Sequence, residues 1–131
     1  MTRKLVLAIV VGVALAVAPA ALANPQLVIP RLGINEQTNY RSADYGPYLW
    51  YRDKDTIAIA GHRVTHGRTF RHLDALRRGD HAWLGGHKYT LVREATYRPG
   101  DMRPLRWHGL ILSACTPPGS ASYRLVAFLK P

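Results

Sequence analysis

Cysteine is nearly absent from this 131-residue chain, which contains Cys115 alone. A single cysteine excludes an intramolecular disulfide, so the thiol is a buried apolar side chain, a bridge to another molecule or a chemically useful free thiol. Internal repeats and low-complexity linkers are also lacking, and the sequence shows no calcium-binding or phosphate-binding loop. These absences make Cys115 the first residue whose chemistry needs an explanation.

Acidic residues are scarce as well, since 8 Asp and Glu stand against 18 Lys and Arg. Only Arg3 and Lys4 of the basic residues lie in the first 23 positions, so the remaining 16 basic and 8 acidic residues give a formal charge of +8. Such a surface favours anionic membranes or anionic wall polymers, or it serves solubility alone. Nucleic acid is not expected as a partner, because the basic residues are spread rather than clustered.

Residues 1–23 have the composition of a secretory signal. Arg3 and Lys4 form a cationic start, an apolar run of 14 residues follows over 5–18, and Ala21 and Ala23 supply small residues at cleavage-like spacing. The segment is either cleaved as a signal peptide or retained as an N-terminal membrane anchor. Residues 24–131 are then one extracytoplasmic domain, secreted or anchored to the outer face of the cell membrane.

The apolar runs of this domain are short and rich in Val, Ile, Leu, Thr and Tyr, which predicts an all-β fold. Gly85-Gly86 favours a hairpin turn, and Pro117-Pro118-Gly119 forces a loop between the last two strands. Cys115 and Arg124 are therefore expected on neighbouring strands. A helical turn is expected only within 69–76. The predicted strands are 27–29, 56–60, 81–84, 88–97, 109–115 and 123–129.

A reactive Cys115 needs a cationic or basic neighbour, because the thiolate is the nucleophile. The histidines that offer this chemistry are His62, His66, His72, His81, His87 and His108. His62 is favoured because it follows the apolar run 57–61 and so lies where a buried strand ends. Arg124 either donates hydrogen bonds to an oxyanion formed when sulfur attacks a carbonyl, or is an ordinary solvent-facing strand residue.

Three segments of the chain resemble the sortases, the cysteine transpeptidases of Gram-positive surfaces. They are Gly61-His62-Arg63, the run from Leu110 to Pro117, and Arg124-Leu125-Val126. Residues 29–33 and 60–80 extend the similarity, in a style close to the actinobacterial class E members.

The resemblance implies a closed sortase-type β-barrel with one or two short helical turns over residues 24–131. It also implies a catalytic set in which Cys115 is the nucleophile, His62 the general acid and base, and Arg124 the oxyanion and substrate clamp. The substrate would be a sorting signal of the LPxTG or LAxTG type on surface proteins. The acyl group would pass through a thioacyl intermediate to a peptidoglycan precursor amine. Two alternatives stay open, a sortase-fold hydrolase and a non-catalytic barrel that binds wall or membrane.

The chain departs from the family pattern at three places. Ala114 stands where the family usually has threonine, so any hydrogen bond from that hydroxyl is lost. The segment 101–108 is short, and 40–55 is compressed and rich in aromatic residues, namely Tyr45, Tyr48, Trp50 and Tyr51. These side chains either line a groove or fill the core, and core packing is the favoured use. His62 and His66 are four residues apart without a helix or a nearby acidic ligand, so neither a metal site nor a cofactor is predicted.

Overall fold

The computed structural model describes residues 24–131. The predicted signal peptide or anchor, 1–23, lies outside the described residues. Within the described part of the chain, no helix is long and apolar enough to cross a membrane.

Within residues 24–131, eight strands make up one sheet, which confirms the all-β prediction. Two strands, β2 and β3, were not expected from the sequence. The strands are β1 (Gln26–Ile29), β2 (Ile34–Gln37), β3 (Tyr48–Arg52), β4 (Thr56–Ala60), β5 (His81–Leu84), β6 (His87–Tyr97), β7 (Gly109–Thr116) and β8 (Tyr123–Lys130).

The sheet is open, so the prediction of a closed barrel was wrong. Its strand order is β2-β1-β5-β6-β8-β7-β4-β3, and the terminal strands β2 and β3 form no ladder with each other. Among the described residues, a single isolated bridge, between Asn39 and Tyr48, joins the segment after β2 to the start of β3. Strand β2 has only four residues, and its own residues pair with β1 alone.

Helical structure within the described residues is limited to four single 3₁₀ turns, more than the one or two expected. The turn predicted in 69–76 forms, but only over three residues. The 3₁₀ turns are Pro30–Leu32, Ala43–Tyr45, Leu73–Ala75 and Arg103–Arg106.

Both predicted turns between strands are present. Gly85 and Gly86 connect β5 to β6 with φ angles of 56° and 82°, a left-handed backbone that glycine adopts without steric penalty. The proline-rich loop connects β7 to β8, which pair antiparallel along their whole length. Cys115 and Arg124 therefore lie on neighbouring strands, as predicted.

The two faces of the sheet bury two different apolar clusters. Along β7, Leu110, Leu112 and Ala114 point into the larger core, while Ile111 belongs to a smaller cluster on the opposite face. Successive strand residues alternate between faces, so Cys115 shares the face of Ile111. Ala114 is 3% exposed inside the larger core. A hydroxyl at that position would enter an apolar environment.

Candidate active site

The register of β7 and β8 places Cys115 directly opposite Arg124. Directly opposed residues of an antiparallel pair share one face of the sheet. The Nη1 atom of Arg124 lies 3.5 Å from the Cys115 sulfur and donates a hydrogen bond to it. Cys115 is a half-buried free thiol. The predicted pairing of thiol and guanidinium is therefore present as a contact.

The loop that joins these strands holds the Arg124 guanidinium in place. The same Nη1 donates to the backbone carbonyls of Ala121 and Tyr123, each at 3.3 Å. The other guanidinium nitrogens donate no hydrogen bond to any residue in 24–131, so their N–H groups have no acceptor among the described residues. Because a guanidinium has five donors and no acceptor, these groups can bind a carbonyl oxygen or an oxyanion beside the sulfur.

His62 lies at the same end of the sheet, beyond the end of β4. Strands β4 and β7 are parallel, with Ala60 beside Ser113, so His62 and Cys115 both follow that pair by two residues. The backbone N–H of Gly61 donates to the carbonyl of Ser113 at 3.0 Å and extends the pairing toward the site. The structure thus brings all three predicted site residues to one end of adjacent strands.

The imidazole of His62 is hydrogen-bonded to Asp44, a residue that the sequence reasoning missed. The His62 Nε2 atom lies 2.7 Å from Asp44 Oδ1. Asp44 belongs to the 3₁₀ turn Ala43–Tyr45, and the Ser42 side chain accepts a hydrogen bond from its backbone N–H. An acidic partner of a histidine fixes the orientation of the ring. Asp44 gave no signal in the sequence, because 18 residues separate it from His62.

A second histidine lies in the same cluster. The His66 ring centroid is 5.2 Å from that of His62, and its Nε2 atom lies 3.6 Å from Asp44 Oδ1. The expectation that no acidic ligand lies near these histidines was therefore wrong. The acidic group comes from a different loop, which spacing along the chain does not reveal.

Arg63 stabilises the site from within the protein, although it is a charged residue with only 5% exposure. Its guanidinium donates to the Cys115 carbonyl and to Thr116 Oγ1, each at 3.4 Å, and to Asp74 Oδ1 at 2.7 Å. A buried charge needs such partners, because an unpaired one is costly to desolvate. Arg63 therefore ties the loop after β4 to the end of β7.

Gly61 allows Phe70 to pack against the chain just before His62. A Cβ atom at position 61 would lie 2.6 Å from Cδ2 of the buried Phe70 ring, closer than carbon atoms approach. The Phe70 backbone N–H also donates to the His62 carbonyl at 3.0 Å. The glycine thus sets the path of the chain at the candidate general acid.

A groove of about 330 Å³ opens on the face that carries Cys115, with Arg124 in its wall. Tyr48 and Trp50 line it, and Trp50 is 37% exposed. The prediction that the aromatic residues of 40–55 pack in the core was therefore wrong for these two, and also for Tyr45, which is 60% exposed. It holds for Tyr51, which packs against the smaller cluster.

The short segment 101–108 forms another wall of this groove. Its 3₁₀ turn, Arg103–Arg106, contributes Pro104 and Leu105, and Met102 lies just before it. Pro104 is buried, which fixes the segment against the sheet. A groove with apolar and aromatic walls and a guanidinium beside a thiol suits an extended peptide whose carbonyl carbon is attacked by sulfur.

The fold and the site together define an all-β protein with a candidate thiol-based acyl-transfer site. A protein-family model described as "Sortase domain" matches residues 27–131 of this chain. The chain belongs to the sortase family, whose members are cysteine transpeptidases. No curated protein sequence gives a significant match.

Solved sortase structures share the fold. Sortase E1 from Streptomyces coelicolor, with a tripeptide in its active site, has a TM-score of 0.68 at 21% identity, covering 82% of this chain and 86% of that one. Sortase A of Listeria monocytogenes has a TM-score of 0.68 at 17% identity, with coverages of 83% and 88%. Clostridium perfringens sortase C, solved with its C-terminal cell wall sorting motif, has a TM-score of 0.67 at 16% identity, with coverages of 80% and 68%.

Proposed function

We propose that this protein is a sortase-type transpeptidase that cleaves a sorting signal of the LPxTG or LAxTG type and transfers the acyl group to an amine. The observation that carries the proposal is the contact between the Cys115 sulfur and Arg124 Nη1, 3.5 Å apart, on the face of the sheet where the groove opens. Neither residue belongs to the larger core, since both lie on the opposite face of the sheet.

The first half-reaction forms a thioester. The Cys115 thiolate attacks the carbonyl carbon of the threonine in the signal, and a C–S bond forms as the carbonyl oxygen takes up negative charge. Arg124 donates hydrogen bonds to that oxygen through the N–H groups that have no acceptor within 24–131. The C–N bond to the following glycine then breaks, and the His62 imidazolium gives its proton to the leaving amine.

The second half-reaction releases the acyl group. An amine attacks the thioester carbon, neutral His62 takes the proton of the incoming nitrogen, a C–N bond forms and the C–S bond breaks. The Cys115 thiolate and the His62 imidazolium are both restored. The acceptor proposed here is a peptidoglycan precursor amine.

The groove is the proposed binding site for the signal peptide. Its aromatic wall at Tyr48 and Trp50 matches the apolar leucine and proline or alanine that precede the reacting threonine. Two structural relatives carry peptide ligands, a tripeptide in the Streptomyces coelicolor enzyme and a sorting motif in the Clostridium perfringens enzyme. They support a peptide as the occupant of this face.

An extracytoplasmic location belongs to the same proposal. The signal-like composition of 1–23 delivers the domain to the outer face of the membrane, either free or anchored. There the formal charge of +8 on residues 24–131 attracts the domain to anionic lipids or wall polymers.

The test is to incubate the full chain with LPxTG and LAxTG peptides, with and without an added oligoglycine amine, and to follow products by mass spectrometry. We expect a thioester adduct on Cys115 and an amine-dependent ligation product. Product only with water as acceptor would instead identify a hydrolase. Absence of any adduct with either peptide, from folded protein whose thiol still reacts with a small alkylating agent, would refute the proposed substrate.

Variants assign the roles. Cys115→Ala should abolish the adduct, and unchanged turnover in that variant would refute the mechanism. Arg124→Lys keeps the charge but loses the forked donors, so kcat should fall by about 10²- to 10³-fold, as for loss of one oxyanion donor. Arg78→Lys, an exposed position away from the groove, is the matched control and should retain the wild-type rate.

A further inference from the structure

Asp44, His62 and His66 form a cluster of ligand-type atoms beside the candidate active site. One carboxylate oxygen and one ring nitrogen from each histidine all lie within 4.8 Å of one another. The two contacts to the carboxylate measure 2.7 Å from His62 and 3.6 Å from His66. The transpeptidase mechanism proposed above uses only His62 of these three residues. It does not account for the position of His66 beside the same carboxylate.

The distances suit a tetrahedral metal centre. With metal–nitrogen bonds of about 2.0–2.1 Å, neighbouring ligand atoms of a tetrahedral site lie about 3.3 Å apart. The two contacts to the carboxylate lie on either side of that value and the two imidazole nitrogens lie within 4.8 Å of each other, so side-chain rotations are enough to bring all three ligand atoms around one ion. Two imidazoles and one carboxylate favour zinc or a similar transition metal over calcium or magnesium, which take oxygen ligands.

The surroundings favour a cation at this place, although the chain as a whole is basic. Glu36 lines the same cleft as Asp44 and His66, which brings together two of the eight acidic residues in the chain. The Glu36 carboxylate is held there by a hydrogen bond from Thr69 Oγ1 at 3.0 Å. His66 and Asp44 are both exposed, so an ion can reach the cluster from solvent.

We propose that Asp44, His62 and His66 bind one zinc-class transition-metal ion, with solvent at the remaining position. Its consequence for activity rests on the proposed function. A metal on His62 Nε2 takes the place of the second proton of the imidazolium, so the metal-bound ring lacks the protonated form that the leaving amine needs. The ion would then be a reversible inhibitor at the general acid, competing with the proton rather than with the peptide.

The test measures zinc binding without any peptide. Zinc sulfate is titrated into the full chain against a chromophoric chelator, in a Cys115→Ala background so that the thiolate contributes no ligand. We expect one equivalent to bind. His66→Gln and Asp44→Asn should each weaken binding by about tenfold or more, since even the loss of a partner of a metal ligand costs that much. His87→Gln, an exposed histidine at the β5–β6 hairpin, should bind zinc as the parent does.

Two results would overturn the inference: no stoichiometric binding by the parent, or equal affinity in the parent, His66→Gln and Asp44→Asn. The circular dichroism spectrum of each variant is compared with that of the parent, so that weaker binding caused by misfolding is distinguished from weaker binding caused by loss of a ligand. Inhibition is then measured as the ratio of peptide-cleavage rates with and without zinc within each chain that retains Cys115, and we expect that ratio to approach one in His66→Gln. Absence of cleavage by the zinc-free protein would refute the proposed function alone, because the binding titration involves no peptide.

Discussion

Glu94 is the residue whose replacement gives the sharpest test of the interior behind the active site. It lies on β6 opposite Ala127, which belongs to the larger core, so the carboxylate points to that side of the sheet. Its Oε1 atom is buried without a hydrogen-bond partner among the described residues. Burial, reinforced by the negative charge of Asp74 and opposed by Arg63, raises the pKa of Glu94 from 4.5 to about 7.

The sign of the effect on stability follows from proton binding. Between pH 4.5 and about 7 the folded protein holds a proton on Glu94 that the unfolded chain has released. The stabilising contribution is therefore fully present below pH 4.5 and is lost as the pH rises through about 7. The full pKa shift corresponds to about 3 kcal/mol, and solvent screening of this partly buried side chain lowers the value to roughly 1–2 kcal/mol.

Glu94→Gln removes the charge and should stabilise the protein by that amount at pH 8 but not at pH 4.5. For a domain of this size the gain corresponds to a rise in Tm of roughly 6 °C. The assay is thermal unfolding followed by circular dichroism at both pH values, with exposed Asp55→Asn as the control. Comparing each variant with the parent at the same pH cancels the titration of the histidines. An equal Tm difference at the two pH values would refute the assignment of the buried charge.

Two further predictions concern the packing near His62 and the groove. Gly61→Ala forces a Cβ into the Phe70 ring and should lower the free energy of unfolding, measured in urea, by about 1–3 kcal/mol. Adding Phe70→Leu to the Gly61→Ala chain should recover part of that loss. If the effects of the two substitutions simply add, the clash is refuted. Trp50→Ala should raise the KM for the signal peptide more than it lowers kcat. The control is Tyr40→Ala, an exposed aromatic residue outside the groove lining, which should leave both constants unchanged. A change in kcat without a change in KM would show that Trp50 does not bind the peptide.

The sequence predicted the parts of this site that depend on neighbouring strands. A proline-glycine loop between two apolar runs fixes an antiparallel pair, and that pairing alone brings Cys115 opposite Arg124. The position of His62 could also be read from the sequence, because an apolar run that ends in glycine marks a buried strand end. These inferences need only the local pattern of the chain.

The missed features depend on contacts between distant segments. Asp44 reaches His62 from a loop 18 residues earlier. Strand β2, Ile34–Gln37, has one apolar residue among four and exposes Asn35 and Gln37, so it lacks the alternation that identifies a strand. The open sheet escaped prediction for a related reason, since closure depends on whether two terminal strands meet, which no single segment encodes.

The site combines parts that are fixed to different degrees. The positions of the thiol and of the His62 backbone follow from strand pairing, through the bond from Gly61 to Ser113 and from the buried Arg63 to the Cys115 carbonyl. The direction of the His62 ring follows instead from Asp44, which lies on a separate 3₁₀ turn and is exposed to solvent. Whatever changes that carboxylate therefore changes the imidazole without disturbing the sheet. Control of the general acid by a ligand at Asp44 needs no movement of the fold.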